Sequence, residues 1–123
     1  MNTNIDKSDM EGPFLLNTKT IDNEVKSNSI GVYILGEINN DGTIKPKYVG
    51  RSDNDLNKRL HDHEKENYSH FMYLNVGYIK DAFEMECRLY HYYGGDMSLL
   101  DNKKHPDRPD EILFLSCPVC DIF

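Results

Sequence analysis

The sequence predicts an α+β fold in which a small antiparallel three-stranded sheet is flanked by helices in ββαβα order. Three observations carry this. Ile30 to Ile38 places apolar residues in alternation at Ile30, Val32 and Ile34. Asn39-Asn40-Asp41-Gly42 is a strong turn signal just before a second strand-like run, so the two runs should pair as a hairpin. Two stretches of helical periodicity then alternate with a third apolar run. A chain of 123 residues is enough for one core and hardly for two. With 38% apolar and 28% charged residues it reads as an ordinary folded chain and not a disordered one.

Taken in order, residues 1–11 lack periodicity and are rich in Asn, Asp and Ser, and are expected to stay unordered. Residues 12–29 form a lead-in. Gly12-Pro13 introduces Phe14, Leu15 and Leu16, and Thr18 or Thr20 could cap a short helix running to about Val25. The first strand is Ile30 to Ile38 and the second spans about Lys45 to Arg51. Ser52 or Asp53 is placed to cap a helix reaching about Glu66. Phe71 to Ile79 reads as the third strand. Asp81 then caps a second helix, Ala82 to Tyr93, which Gly94-Gly95 terminates. Residues 30–102 make the domain proper, and 103–123 form an extension packed on it. That extension holds a Lys/His/Pro/Asp loop, a short apolar stretch from Ile112 to Leu115, and Cys117-Pro118-Val119-Cys120.

No apolar run is long enough to cross a bilayer. Met1 to Asp9 lack the basic and apolar regions of a signal peptide. The cytoplasm is therefore the expected location, and a membrane is not an expected partner. The formal net charge is −7, and the acid excess runs through the chain: 5 acids against 3 bases in residues 1–29, 11 against 8 in 30–100, and 5 against 3 in 101–123. Duplex-binding domains are usually basic, because phosphate neutralisation supplies most of their non-specific affinity. Any contact with nucleic acid must then rest on a local basic cluster. The densest is Lys47, Arg51, Lys58 and Arg59, and acids interrupt it.

The second helix gives the best physical clue to a site. At 100° per residue, Ala82, Met85, Leu89 and Tyr93 share one stripe, while Glu84, Arg88 and His91 face the other way. Glu86 falls inside the apolar stripe. A lone buried carboxylate carries a large desolvation cost, so Glu86 needs a cation, a donor network or a metal ion. The plain alternative is an ion pair with an arginine that staples the core. In the first helix Arg59 and His63 stand four residues apart on one face, beside the Leu56/Leu60 stripe, where they could lean over a groove against the sheet. Tyr33 and Tyr48, one on each hairpin strand, would ordinarily be packing residues with the hydroxyl at the rim.

Together these residues resemble a known family. Gly31-Val32-Tyr33 followed by Tyr48-Val49-Gly50 on the next strand is similar to the paired triplets of the GIY-YIG nucleases, with Val for Ile in both. Arg59 and His63 in the first helix, Glu86 in the second and Asn102 beyond it follow in the family's order. The resemblance covers roughly residues 30–102, and the stretch between the triplets is longer than is usual for the family.

The resemblance implies hydrolysis of nucleic-acid phosphodiester bonds by a one-metal mechanism, leaving a 5′-phosphate and a 3′-hydroxyl. It implies that Glu86 holds one magnesium or manganese ion whose other positions are filled mostly by water. Tyr33 would deprotonate or orient the attacking water, and Tyr48 would place that water and the scissile phosphate. Arg59 would favour the phenolate and stabilise charge on the pentavalent phosphorus. His63 would assist proton transfer or contact phosphate, and Asn102 would brace the site and, with Lys47, Arg51 and Lys58, meet the substrate. DNA is the partner implied first; the chain would either cut structured or flexible substrates weakly or act with a second protein that supplies the targeting.

Two rivals stay open. One is a binding or assembly module that keeps the fold, lacks turnover and acts with a protein partner. The other is a structural Glu86–Arg59 ion pair with tyrosines that merely pack.

Three cysteines, an odd number, make no disulfide framework. Cys117 and Cys120 are half of a tetrahedral zinc site, for which His105 or Cys87 would have to complete the ligand set. Cys87 points about 100° away from Glu86 and so toward another surface. Two knuckles from two chains could also share one zinc. A half-motif is thin support, and the expectation is a reduced pair near a packed C-terminus, with zinc as the alternative.

Overall fold

The hairpin announced by the Asn-Asn-Asp-Gly turn forms half of the sheet on which everything else packs. The computed structural model describes residues 9–109 and 115–120. Its elements are β1 (Glu11–Leu15), α1 (Thr18–Glu24), β2 (Gly31–Ile38), β3 (Ile44–Ser52), α2 (Leu56–Asp62), β4 (His70–Asn75) and α3 (Ile79–Tyr92), followed by a 3-10 turn at Gly95–Met97. The fold is α+β as expected, but the sheet has four strands and not three, in the order β1-β4-β2-β3, with every pair antiparallel.

The extra strand comes from the lead-in. Glu11 opens β1 and Met10 is buried in the core, so ordered chain begins before residue 12. Pro13 cannot donate to a ladder, and β1 lies at the sheet edge, where that omission is tolerated. The rest of the segment expected to be unordered, residues 1–8, lies outside the described residues, as does most of the Ile112–Leu115 stretch.

Opposite faces of the sheet carry different helices. Ile21 and Val25 of the α1 region, with Leu56 and Leu60 of α2, pack on Tyr33, Leu35, Phe71 and Tyr73. Ala82, Met85 and Leu89 of α3 pack on Val32, Ile34 and Val49. The alternation of β2 supplies both sets, odd positions to one face and even positions to the other. Burying each Leu or Ile side chain in this way stabilises the fold by about 1.5–3 kcal/mol.

The helix ends differ from expectation for local reasons. Asn17 caps α1, its side chain accepting from Thr20 N at 2.8 Å. Asp55 caps α2 through Lys58 N, and Ser52 Oγ instead accepts from Asp55 N. The first turn of α3 begins at Ile79 without a side-chain cap, leaving Asp81 inside that turn, where it complements the helix dipole. Gly94, with φ of 80°, does end α3 in the left-handed conformation. The helix α2 stops at Asp62, short of Glu66, because His63 turns inward.

The long link between the triplets is absorbed in two places. A five-residue loop, 39–43, joins Ile38 to its partner Ile44, and a bulge inserts Lys47 between the Leu35↔Tyr48 and Gly36↔Pro46 pairs. Tyr33 pairs with Gly50 and Leu35 with Tyr48, so both tyrosines stay on the α2 face.

A polar clip joins α1 to α2. His61 Nε2 lies 2.8 Å from Asp22 Oδ1, and its Nδ1 lies 2.6 Å from Glu64 Oε2. Burial alone would lower the His61 pKa, but the two carboxylates outweigh it and hold it above the ordinary value. A raised imidazole pKa adds stability below the unfolded value and loses it as pH rises through the folded one. An NMR titration of His61 is expected to show a midpoint above 6.5, falling back toward that value in Asp22→Asn.

Candidate active site

The glycines of the two triplets are there to let side chains in. A Cβ on Gly50 would strike the Tyr33 ring and hydroxyl, so Tyr33 lies directly over its cross-strand partner. A Cβ on Gly31 would meet Leu74 O at 2.5 Å and Leu56 Cδ2 at 2.7 Å, so Gly31 lets α2 approach the sheet. Tyr33 is fully buried on this floor. Its ring stacks on Tyr48 at 6.4 Å between centroids, and His63 packs against both, at 5.3 and 5.2 Å.

The hydroxyl of Tyr33 is 2.8 Å from His63 Nε2, and His63 Nδ1 is 3.0 Å from Glu66 Oε2. A carboxylate only accepts, so Nδ1 carries a proton; in the neutral imidazole, Nε2 then accepts from the tyrosine. Glu66 is a site residue that sequence reasoning missed. Its position three residues after His63, a spacing that makes neighbours on a helical turn, was the available signal.

Tyr33, Tyr48, Arg59 and Glu86 all line one open cleft of about 910 Å³, together with Glu66 and Asn102. The cleft straddles β3, the sheet edge: the tyrosines and Arg59 reach it from the α2 face, and Glu86 from the α3 face. The edge itself is closed by residues 101 and 102. Asn102 Oδ1 accepts from Val49 N at 2.9 Å while its Nδ2 donates to Val49 O at 2.7 Å, and Asp101 N donates to Lys47 O. Both ends of the Asn102 amide are thus engaged in bracing β3.

Burial raises the Tyr33 pKa far above the ordinary phenol value, with the Arg59 charge and hydrogen bond opposing it. Burial raises Tyr48 as well, again against Arg59. Arg59 is exposed, and among the described residues no carboxylate lies within ion-pair distance of it.

Glu86 does form an ion pair, but with Arg51 and not with Arg59. Arg51 Nη1 donates to Glu86 Oε1 at 2.6 Å and to Asp107 O at 2.6 Å, while Nε donates to Asp53 Oδ1 at 2.8 Å. The guanidinium also sits 5.3 Å from the Phe83 ring centre. Burial nonetheless pushes Glu86 up to about 7; Arg51 pulls it down, and Asp53 and Asp107 add to the rise. The carboxylates around Arg51 outnumber it, and Glu86 presents a hard oxygen ligand at the cleft wall. A carboxylate oxygen is the donor type that hard divalent cations take, and here Oε1 is already held by Arg51.

The remaining predicted contacts scatter. Lys47 lines a separate surface hollow with Glu37 and Asp101, and Lys58 is exposed beside Asp62 at 3.9 Å. The cleft instead gains Lys103 and Lys104, the latter 3.0 Å from Asp107.

A second group of side chains adjoins the cleft through His105. His91, His105, Cys117 and Cys120 each offer a ligand atom, all within 4.8 Å of one another, and could hold a metal ion. This corrects the expected ligand set. Cys87 packs instead with Phe83, Leu115 and Cys117, and His91, expected on an outward face, supplies the position. The reason is a second buried face on α3, which residues 115–120 cover.

No family model, curated protein or solved structure matches the chain.

The contact of Tyr33 with Gly50 yields a test. Gly50→Ala is expected to destabilise the fold by about 1–3 kcal/mol through overpacking, read by urea denaturation, and to move the Tyr33 ring off His63 in chemical-shift maps. An unshifted midpoint would mean that Tyr33 is not held there.

Proposed function

We propose that this chain is a metal-dependent endonuclease of the GIY-YIG type, hydrolysing phosphodiester bonds of nucleic acid, DNA first, to 5′-phosphate and 3′-hydroxyl ends. The observation that carries the reading is the gathering of Tyr33, Tyr48, Arg59 and Glu86, four residues far apart in sequence, on one open cleft.

The hydrogen-bond chain from Tyr33 through His63 to Glu66 supports a specific proton path. A buried phenol with a raised pKa is a poor reservoir of phenolate, so Tyr33 acts as a bridge. As water attacks phosphorus, its proton passes to the Tyr33 oxygen while the Tyr33 proton passes to His63 Nε2. Glu66 then faces the imidazolium at Nδ1 and stabilises it. Tyr48, at the half-buried rim, orients the water and the phosphate. Arg59, with no carboxylate within ion-pair distance among the described residues, is left to meet the negative charge that builds on the equatorial oxygens. Glu86 would hold the magnesium or manganese ion, which supplies positive charge to the phosphate and leaving oxygens. Lys103 adds a further cation to a lining that also carries Asp53, Glu66, Asp101 and Asp107.

The rival without turnover draws on one observation: Arg51 already occupies Glu86 Oε1. In that case the cleft is a binding surface for a protein-directed assembly, and the ion pair is structural.

A nicking assay on supercoiled plasmid at low salt separates the two. Wild type is expected to nick with magnesium or manganese and to stop with EDTA. Tyr33→Phe and Glu86→Gln, folded by circular dichroism, are each expected to lose at least about a hundredfold in rate. Absence of cleavage by wild type, or cleavage that survives Glu86→Gln, would favour the binding module.

A further inference from the structure

We propose that His91, His105, Cys117 and Cys120 form a structural zinc site that clamps the loop of residues 101–109 onto α3 and so fixes one wall of the cleft. The inference goes beyond the nuclease reading and does not depend on it.

Four observations carry it. The ligand type is right: two imidazoles and a Cys-x-x-Cys pair make a closed Cys₂His₂ set with no place left for substrate, the mark of a structural and not a catalytic site. The spacing is right. Tetrahedral zinc with bonds of about 2.0–2.3 Å places neighbouring ligand atoms about 3.3–3.8 Å apart. Cys120 Sγ and His105 Nε2 are 3.4 Å apart, and the whole set lies within 4.8 Å.

The third observation is an orphan. Among the described residues, His91 Nε2 is the one buried side-chain nitrogen or oxygen with no hydrogen-bond partner. Such atoms are rare in folded proteins and call for an explanation, of which an ion is one. Here the lone nitrogen belongs to the group that also brings two thiols and a second imidazole to the same point.

The fourth is the surround. The other ring nitrogen of each histidine faces an oxygen: His105 Nδ1 donates to Pro106 O at 2.9 Å, and His91 Nδ1 lies 3.6 Å from Asp96 Oδ2. That arrangement turns Nε2 of both rings toward the cluster, as outer partners of zinc-bound histidines do. Val119 N donates to Cys117 Sγ at 3.4 Å, which favours the thiolate form that zinc requires. No disulfide ties Cys117 to Cys120. Soft thiolates with imidazole select zinc over magnesium or calcium.

The site has a structural consequence. His105 sits in the middle of a loop pinned at one end by Asn102 on Val49 and at the other by Asp107 O on Arg51. Arg51 in turn holds Glu86. Zinc at His105 would therefore anchor the loop that positions Lys103 and Lys104 at the cleft and steadies the Arg51–Glu86 pair. The segment 115–120, which contributes no helix or strand of its own, is held to α3 by the same ion.

The test uses the full chain without a polyhistidine tag, expressed in zinc-supplemented medium and purified under reducing conditions. Metal analysis is expected to give one zinc per chain. Cobalt(II) added to the metal-free protein should give the intense visible bands and thiolate charge-transfer of a tetrahedral site. His91→Ala and Cys120→Ala should each weaken zinc binding in chelator competition by more than the ~10–100-fold typical of outer-shell changes. Cys87→Ala should leave one zinc bound. Hydrogen exchange should speed up across 101–109 when zinc is removed. A chain purified without zinc whose cobalt spectrum is octahedral would overturn the site, as would full zinc affinity in His91→Ala. Unchanged exchange across 101–109 after zinc removal would overturn the clamp.

Discussion

The ring of Tyr33 lies on the bare backbone of Gly50, and most of the cleft follows from that contact. It is possible only across an antiparallel pair in which residue 33 faces residue 50, and the bulge at Lys47 preserves that register through a long hairpin. With the Tyr33 ring buried, its hydroxyl finds its partners on α2, in Arg59 and in His63 at the helix end. There His63 leaves the helix and turns inward, its backbone N–H bonding to Leu60 O in a tightened last turn. Gly31 then sets how near α2 can come. Two small residues thus fix one tyrosine, one histidine and one helix to within hydrogen-bonding tolerance. The valines between them only fill the α3 side of the sheet.

Glu86 is governed by a different balance. It is almost wholly buried, and burial outweighs an arginine bonded at 2.6 Å, leaving its pKa raised to about 7. Asp53 and the Asp107 backbone share the same guanidinium, so Arg51 is divided among several anionic and polar oxygens. A pair of this kind is a modest source of stability, because desolvation cancels much of the Coulomb attraction. Its physical sense is clearer as a resting arrangement, short of positive charge, that a divalent cation could enter. The cation would compete with Arg51 for one oxygen while relieving the local excess of carboxylates.

The hairpin, α2, α3 and the strand between them were legible because each depends on local periodicity or a local turn. The extra edge strand was not. Its five residues, interrupted by Pro13, carry no alternation, and only the presence of β4 makes them a strand. The convergence of Tyr33, Tyr48, Arg59 and Glu86 was legible only through a resemblance in their order, and the partner of Glu86 was not legible. Arg51 and Arg59 are equally basic in sequence, and the alternation of β3 decides which one faces α3. His91 was hidden because α3 has a second buried face that its single apolar stripe does not announce. A stripe at helical spacing reports one packing partner, whereas Phe83, Cys87 and His91 meet another that arrives from much later in the chain.

The acidity of the chain bears on how such a cleft could take nucleic acid. With a net charge of −7, the long-range field opposes a polyanion, so little affinity can come from steering. At contact range the balance is set locally. Arg51 is spent on Glu86 and Asp53, Lys104 on Asp107, and Lys58 lies near Asp62 away from the cleft. Arg59 and Lys103 remain as cleft cations with no described carboxylate within ion-pair distance. Two phosphate contacts give a shallow salt dependence, of slope about −1.8 on a log–log scale, and correspondingly weak non-specific binding. Neutralising Glu86 with a divalent cation changes the sign of the local charge just where the scissile phosphate would lie. Metal and substrate would then bind with positive coupling, since each relieves the charge that the other meets. A cleft of this composition would depend on the cation to bind as well as to react, and on a partner to bring the strand within reach.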